Sequence, residues 1–80
     1  MIITARADRD LRGFPIAVRE RILSKLTFYA SFENPLVFAR KLHGNLLGHY
    51  RFRVGEYRAV FDLIEGEVCI LAIEHRKDAY

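Results

Sequence analysis

The run "YRFRVGEYRAVF", residues 50–61, leaves a chain of this kind few folds to choose from. Tyr50, Phe52 and Val54 alternate with Arg51 and Arg53, and apolar residues recur at Tyr57, Ala59, Phe61 and Leu63. A period of two is the mark of a strand with one buried face. Between the two runs stands Gly55-Glu56, a Gly-X pair suited to a two-residue type II′ turn. That turn sets the register: Val54 faces Tyr57, Arg53 faces Arg58, and Arg51 lies diagonally on the same face. Like charges opposed across a strand pair cost roughly 0.2–1 kcal/mol. A sheet selected for stability alone would not gather three guanidiniums there.

The β pattern continues through a Glu65-Gly66 turn into "EVCILAIEH", which predicts a meander of three antiparallel strands. Upstream the period changes. Met1 to Thr4 suits a very short strand, and "TARADRDLRGF" reads as a short helix with Thr4 as N-cap and Gly13 at C′. Pro15 opens a second helix, where its missing N–H costs little. To about Ala30, Val18, Ile22, Leu26 and Tyr29 recur at helical spacing, with Arg19, Glu20 and Lys25 on the polar side. Asn34-Pro35 starts a new segment, Leu36 to Lys41 is read as a further turn of helix, and the region of Gly44 and Gly48 as loop. Helices first and strands afterwards indicate an α+β domain: a short N-terminal strand, then a helical hairpin packed on one face of a small antiparallel sheet. The opposite face is left to the arginines. Tyr50, Phe52, Tyr57 and Phe61 alternate with those arginines and are read as core rather than as a platform for stacked bases.

Residues 1–80 are read as one domain, since a chain of this size can hold one modest core. No run approaches the roughly 18 apolar residues of a membrane span, and the start lacks a signal-peptide hydrophobic region, so a cytoplasmic, membrane-free protein is expected. Cys69 sits in the apolar run "VCILAI" and is expected to be buried packing. There is no His/Cys cluster at zinc spacing, no glycine-rich phosphate loop and no Ser-His-Asp signature, so the expected chemistry needs neither metal nor cofactor. The formal net charge of +3 permits a polyanionic partner. More telling, arginine outnumbers lysine, and guanidinium binds phosphate bidentately and stacks on bases as ammonium cannot.

The ordered run "KLHGNLLGHYRFRVGEYRAVF", followed by "IEHRKDAY", is similar to the RelE branch of the RelE/ParE superfamily of small basic toxins from toxin–antitoxin pairs. Lys-Leu, spaced glycines, Tyr-Arg-x-Arg, a turn, Tyr-Arg, and a terminal His-Arg with a tyrosine soon after all occur at the family's spacing, and the likeness runs from "RADRDLRGFP" to the end. The resemblance implies a RelE-like fold and a ribosome-dependent endoribonuclease that cuts messenger RNA. It also implies a cognate antitoxin that wraps the toxin with a helix or strand.

By that resemblance Arg58 and Arg76 grip the scissile phosphate, Arg51 and Arg53 occupy two basic positions often held by lysine, and Tyr80 orients or activates the nucleophile or stacks on a base. Arginine is effectively always protonated, so Arg51 and Arg53 are read as charge stabilisers rather than bases. His75 is the candidate proton carrier, because imidazole is the side chain that ordinarily titrates near neutrality. His49 shares the strand parity of Arg51 and Arg53 and is a weaker candidate for contact with RNA, while Lys41 and Lys77 are read as ribosomal-RNA contacts. Two alternatives stay open: a ParE-like toxin of the same fold that acts on DNA gyrase without nuclease chemistry, and an inactive basic binding module.

Overall fold

The computed structural model describes residues 1–44 and 47–79. The chain runs β1 (Ile2–Ile3), α1 (Ala5–Arg12), α2 (Ile16–Ala30), a 3-10 turn (Pro35–Phe38), β2 (Ala39–Lys41), β3 (Tyr50–Val54), β4 (Tyr57–Ile64), β5 (Glu67–His75) and α3 (Arg76–Ala79). The sheet has five strands in the order β1-β5-β4-β3-β2. The predicted meander forms its centre, but the sheet is mixed: β1 lies parallel to β5, pairing Ile2 with Cys69 and Ile3 with Ile70. The second correction concerns residues 36–41. Asn34 caps the segment through its side chain, which accepts from the Leu36 N–H, yet the helical turn ends at Phe38. Residues 39–41 then extend and pair antiparallel with β3.

The helices start and stop where local chemistry directs. The Thr4 side chain accepts from the Ala7 N–H at 3.2 Å, satisfying one of the orphan donors at the start of α1. Gly13 does stand at the C-terminal cap, but with φ −79°, so it ends the helix without the left-handed conformation expected of a C′ glycine. Arg19 closes the hairpin between α1 and α2. Its Nε donates to the Leu11 carbonyl at 3.1 Å, and one terminal nitrogen donates to the carbonyls of Arg12 and Phe14. A guanidinium forked over the last carbonyls of a helix also complements the negative end of its dipole.

The helices bury Ala7, Leu11, Ile22 and Leu26 against one face of the sheet, which contributes Phe52, Val54, Ala59, Phe61, Val68, Ile70 and Ile73. Phe52 and Phe61 stack in parallel at 4.0 Å between ring centroids, both with no exposed surface. Burying each such side chain is worth about 1.5–3 kcal/mol. Val18 and Tyr29 pack at the margin of this core, as the helical period predicts.

Both predicted turns form. Gly55 takes φ 58° with Glu56 outside the positive-φ region, the arrangement of a II′ turn, whereas Glu65 and Gly66 both take positive φ (52° and 81°), that of a I′ turn. β4 and β5 pair in one register from Ile64↔Glu67 to Phe61↔Ile70, then shift, so that Val60 faces Ala72 and Arg58 faces Glu74. The unpartnered residue is Leu71, a β-bulge, and its carbonyl accepts from the Thr4 hydroxyl at 3.2 Å. This one-residue shift decides which side chains of β5 share the arginine face.

Candidate active site

Arg51 and Arg53 stand on the sheet face opposite the helices, because Tyr50, Phe52 and Val54 of the same strand point into the core. Arg53 pairs directly with Arg58 of β4, as the turn predicts. Together with Arg76, Gly55, Glu56 and Tyr57, these three arginines line an open cleft of about 300 Å³. Arg76 reaches it through backbone contact as well as sequence position: its N–H donates to the Glu56 carbonyl at 2.7 Å, docking the start of α3 onto the β3–β4 turn. Four arginines from three segments thus line one concavity, an arrangement suited to a phosphate group.

The arginines are not left without acids. Arg58 donates from Nε to Glu74 Oε1 at 2.9 Å, and both side chains are largely buried, 15% and 22% exposed. Arg76 lies 3.8 Å from Glu56 Oε2 in a pair that is more than half exposed. Arg53 donates from Nε to the Gly55 carbonyl at 3.4 Å. The repulsion between Arg53 and Arg58 is therefore offset within the sheet. Arg58 sits between a like charge on β3 and a carboxylate on β5, and the second offsets the first.

The sequence reading missed three residues here. Glu74 and Glu56 are the acids just described. Arg40 lies directly opposite Arg51 and extends the basic row to the edge of the sheet, where a smaller concavity is lined by Phe38, Arg40, Arg51 and Arg53. Counting the register of β2 would have found Arg40, but three residues carry too little alternation to announce a strand.

His75 stands apart from the arginine cleft. It pairs with Tyr57, on the helix side of the sheet, and its ring meets the Tyr57 ring edge-on at 4.8 Å. It lines a separate cleft with Arg6, Arg9, Asp10, Phe14 and Glu74, not the arginine cleft. Its Nδ1 accepts from the Lys77 backbone N–H at 3.1 Å, which places the ring proton on Nε2 and makes His75 the cap of α3. The cause is the bulge at Leu71. An unbroken register would have put Ile73 and His75 on the face of Arg58; the extra residue puts Glu74 there instead.

His49 also stands apart from the cleft. It is exposed, and both its backbone N–H and its Nδ1 lie against Asp62 Oδ1, at 2.7 and 2.9 Å. Lys41 and Lys77 are exposed, Lys41 on the helix-side parity of the edge strand β2 and Lys77 on α3. Cys69 is buried, 6% exposed. Tyr80, expected to orient or activate the nucleophile, lies outside the described residues. No described helix is long and apolar enough to cross a membrane.

A family model described as the ParE toxin of type II toxin–antitoxin system, parDE, matches residues 1–80. Among solved structures, the chain resembles one in the RelB–RelE antitoxin–toxin complex from Methanococcus jannaschii, with a TM-score of 0.75 and 22% identity over 100% of this chain and 95% of that one. It also resembles a chain of the RelBE2 toxin–antitoxin complex from Mycobacterium tuberculosis, with a TM-score of 0.66 and 30% identity over 92% of this chain and 86% of that one. No curated protein matches the sequence significantly. On the full-length family match and the shared fold, the chain belongs to the ParE toxin family of type II toxin–antitoxin systems, within the RelE/ParE superfamily.

Proposed function

We propose that this toxin is an endoribonuclease that cuts messenger RNA on the ribosome, with the arginine cleft as its active site and a cognate antitoxin as its inhibitor. The observation that carries the reading is the convergence of Arg51, Arg53, Arg58 and Arg76 on one cleft. In this reaction the 2′-oxygen bonds to the adjacent phosphorus while the bond to the 5′-oxygen breaks, leaving a cyclic phosphate. The 2′-hydroxyl gives up a proton and the departing 5′-oxygen gains one. Negative charge accumulates on the non-bridging oxygens at the pentavalent stage, and fixed guanidiniums stabilise it in place. Each such donor is worth about 10²–10³ in rate.

The described residues of the cleft supply charge rather than a means of holding the nucleophile in line. In-line geometry is itself a large part of the barrier. A message held extended in the ribosomal decoding site supplies that geometry, and Lys41, Lys77 and Arg40 then serve as exposed contacts to ribosomal RNA. The antitoxin is supported by the two resembling structures, each solved as a toxin–antitoxin complex.

The family model that matches the chain carries the name of ParE, and this favours a second reading as a gyrase-directed toxin. Induction in cells, with mapping of the 5′ ends of translated messages, separates the two. The nuclease reading expects in-frame cuts that disappear in Arg53→Ala and Arg76→Ala variants. Intact messages together with loss of DNA supercoiling would establish the gyrase reading instead.

A further inference from the structure

Two carboxylates accompany the arginine cleft, and they are held very differently. Arg76 and Glu56 form a loose pair at 3.8 Å with side chains 57% and 60% exposed, a contact that water and salt screen. Glu74 and Arg58 form a tight one at 2.9 Å, directly cross-strand and largely buried. Glu74 meets Arg58 only because the bulge at Leu71 shifts the register by one residue. Without it, Ile73 would stand opposite. The contact also engages Nε, the nitrogen nearest the side-chain stem. A carboxylate bound there restrains the rotation of the guanidinium plane of a side chain that lines the cleft. Across the hairpin stands Arg53, whose charge repels Arg58 and would drive an untethered side chain aside.

We infer that Glu74 is a positioning residue: it orients Arg58 to bind and neutralise the scissile phosphate. The inference rests on the nuclease reading above and names a part of that site. Glu74 itself touches no substrate. Its carboxylate would repel a phosphate brought within contact, and its value lies in the pre-set orientation of its partner.

The test is single-turnover cleavage of a ribosome-bound message by purified toxin, with thermal melting of every variant. Glu74→Ala is expected to slow cleavage at saturating ribosome by about 10²-fold, the usual penalty for a catalytic group displaced by an ångström. Glu74→Gln keeps an oxygen able to accept from Nε and is expected to recover most of that loss, remaining within about tenfold of wild type. Arg58→Ala closes the cycle. Glu74→Ala and Glu74→Gln should slow the Arg58→Ala protein no further, because their effect passes through the missing guanidinium. If Glu74→Ala does not fold, Glu74→Met, which fills similar space without an acceptor for Nε, carries the same prediction. Independent, additive losses in the double variants, or a wild-type rate in the single variant that lacks an acceptor for Nε, overturn the inference while leaving the nuclease reading intact. A wild-type toxin that leaves every message whole overturns both.

Discussion

Arg40 of β2 lies directly opposite Arg51 of β3, one strand removed from the pairing of Arg53 with Arg58. The basic face therefore crosses three strands and reaches the edge of the sheet, beyond the cleft that Arg76 helps to line. Arg40 is exposed and lies outside that cleft, in the position of a backbone clamp on flanking RNA. Arg40→Ala is expected to weaken ribosome binding more than it slows bound turnover. It should also reduce the slope of log affinity against log salt by about 1, the signature of one lost phosphate contact. Binding titrations at several ionic strengths measure it, and an unchanged slope with slowed turnover would move Arg40 into the reacting centre.

Arg53 links stability and activity with opposite signs. Its charge opposes Arg58 across the hairpin and helps to line the cleft. Replacing it by alanine should raise folding stability by roughly 0.2–1 kcal/mol, by removing the repulsion, while cutting single-turnover cleavage by about 10²–10³-fold. Denaturant unfolding and cleavage assays on one preparation give both numbers. A loss of stability would mean that Arg53 serves the fold.

How far the sequence reveals such a site depends on how local its cause is. The Arg53–Arg58 pairing was legible because a two-residue turn fixes it within six residues of chain. The core face was legible for the same reason, since Phe52, Ala59 and Phe61 keep an unbroken alternation. The short strand at the N-terminus was legible too, though not its parallel pairing with β5, whereas β2 was not, as a strand of three residues exists through its partner rather than through pattern. The placements of His75 and Glu74 were lost to a single event. The bulge at Leu71 sits inside the apolar run "VCILAI", where nothing in the side chains marks which residue is extra. It is tied instead by Thr4, 67 residues away in sequence. A contact of that range cannot be read by counting parity.

The Arg58–Glu74 pair should be dispensable for folding and indispensable for activity. Two charges taken largely out of water recover little net energy from each other, and apolar replacements of similar volume are often neutral or better. The double variant Arg58→Met/Glu74→Leu is therefore expected to unfold within about 1 kcal/mol of wild type, or to be more stable. Its cleavage activity should be lost. Arg58→Met alone, which strands the carboxylate, should be the less stable protein. Chemical denaturation of the three proteins checks the order.

Gly48 packs closely against the strands at the register change. A Cβ there would stand 2.9 Å from both Leu71 Cδ1 and Val60 Cγ1, and 3.2 Å from the Phe61 carbonyl oxygen. The two side-chain tips could shift, but the carbonyl belongs to the strand at the register change. Gly48→Ala is expected to cost about 1–3 kcal/mol, in the range of an overpacked core. A melting temperature equal to wild type would show that the neighbours of Gly48 give way at no cost.

His75 provides a last separation between chemistry and scaffolding. Its ring lies against Tyr57 on the helix side, and its Nδ1 receives the Lys77 N–H at the first turn of α3, the segment that begins with Arg76. Asparagine can accept the same backbone hydrogen bond as a helix cap but carries no titratable proton near neutrality. If His75 acts by holding α3, and through it Arg76, His75→Asn should cleave within about tenfold of wild type while His75→Ala falls by about 10²-fold, as expected for a displaced catalytic group. The pH–rate profile of His75→Asn should then keep the shape of the wild-type curve. A profile that flattens on the acidic side in His75→Asn would instead return the imidazole to the proton-transfer role that its neighbours in sequence suggested.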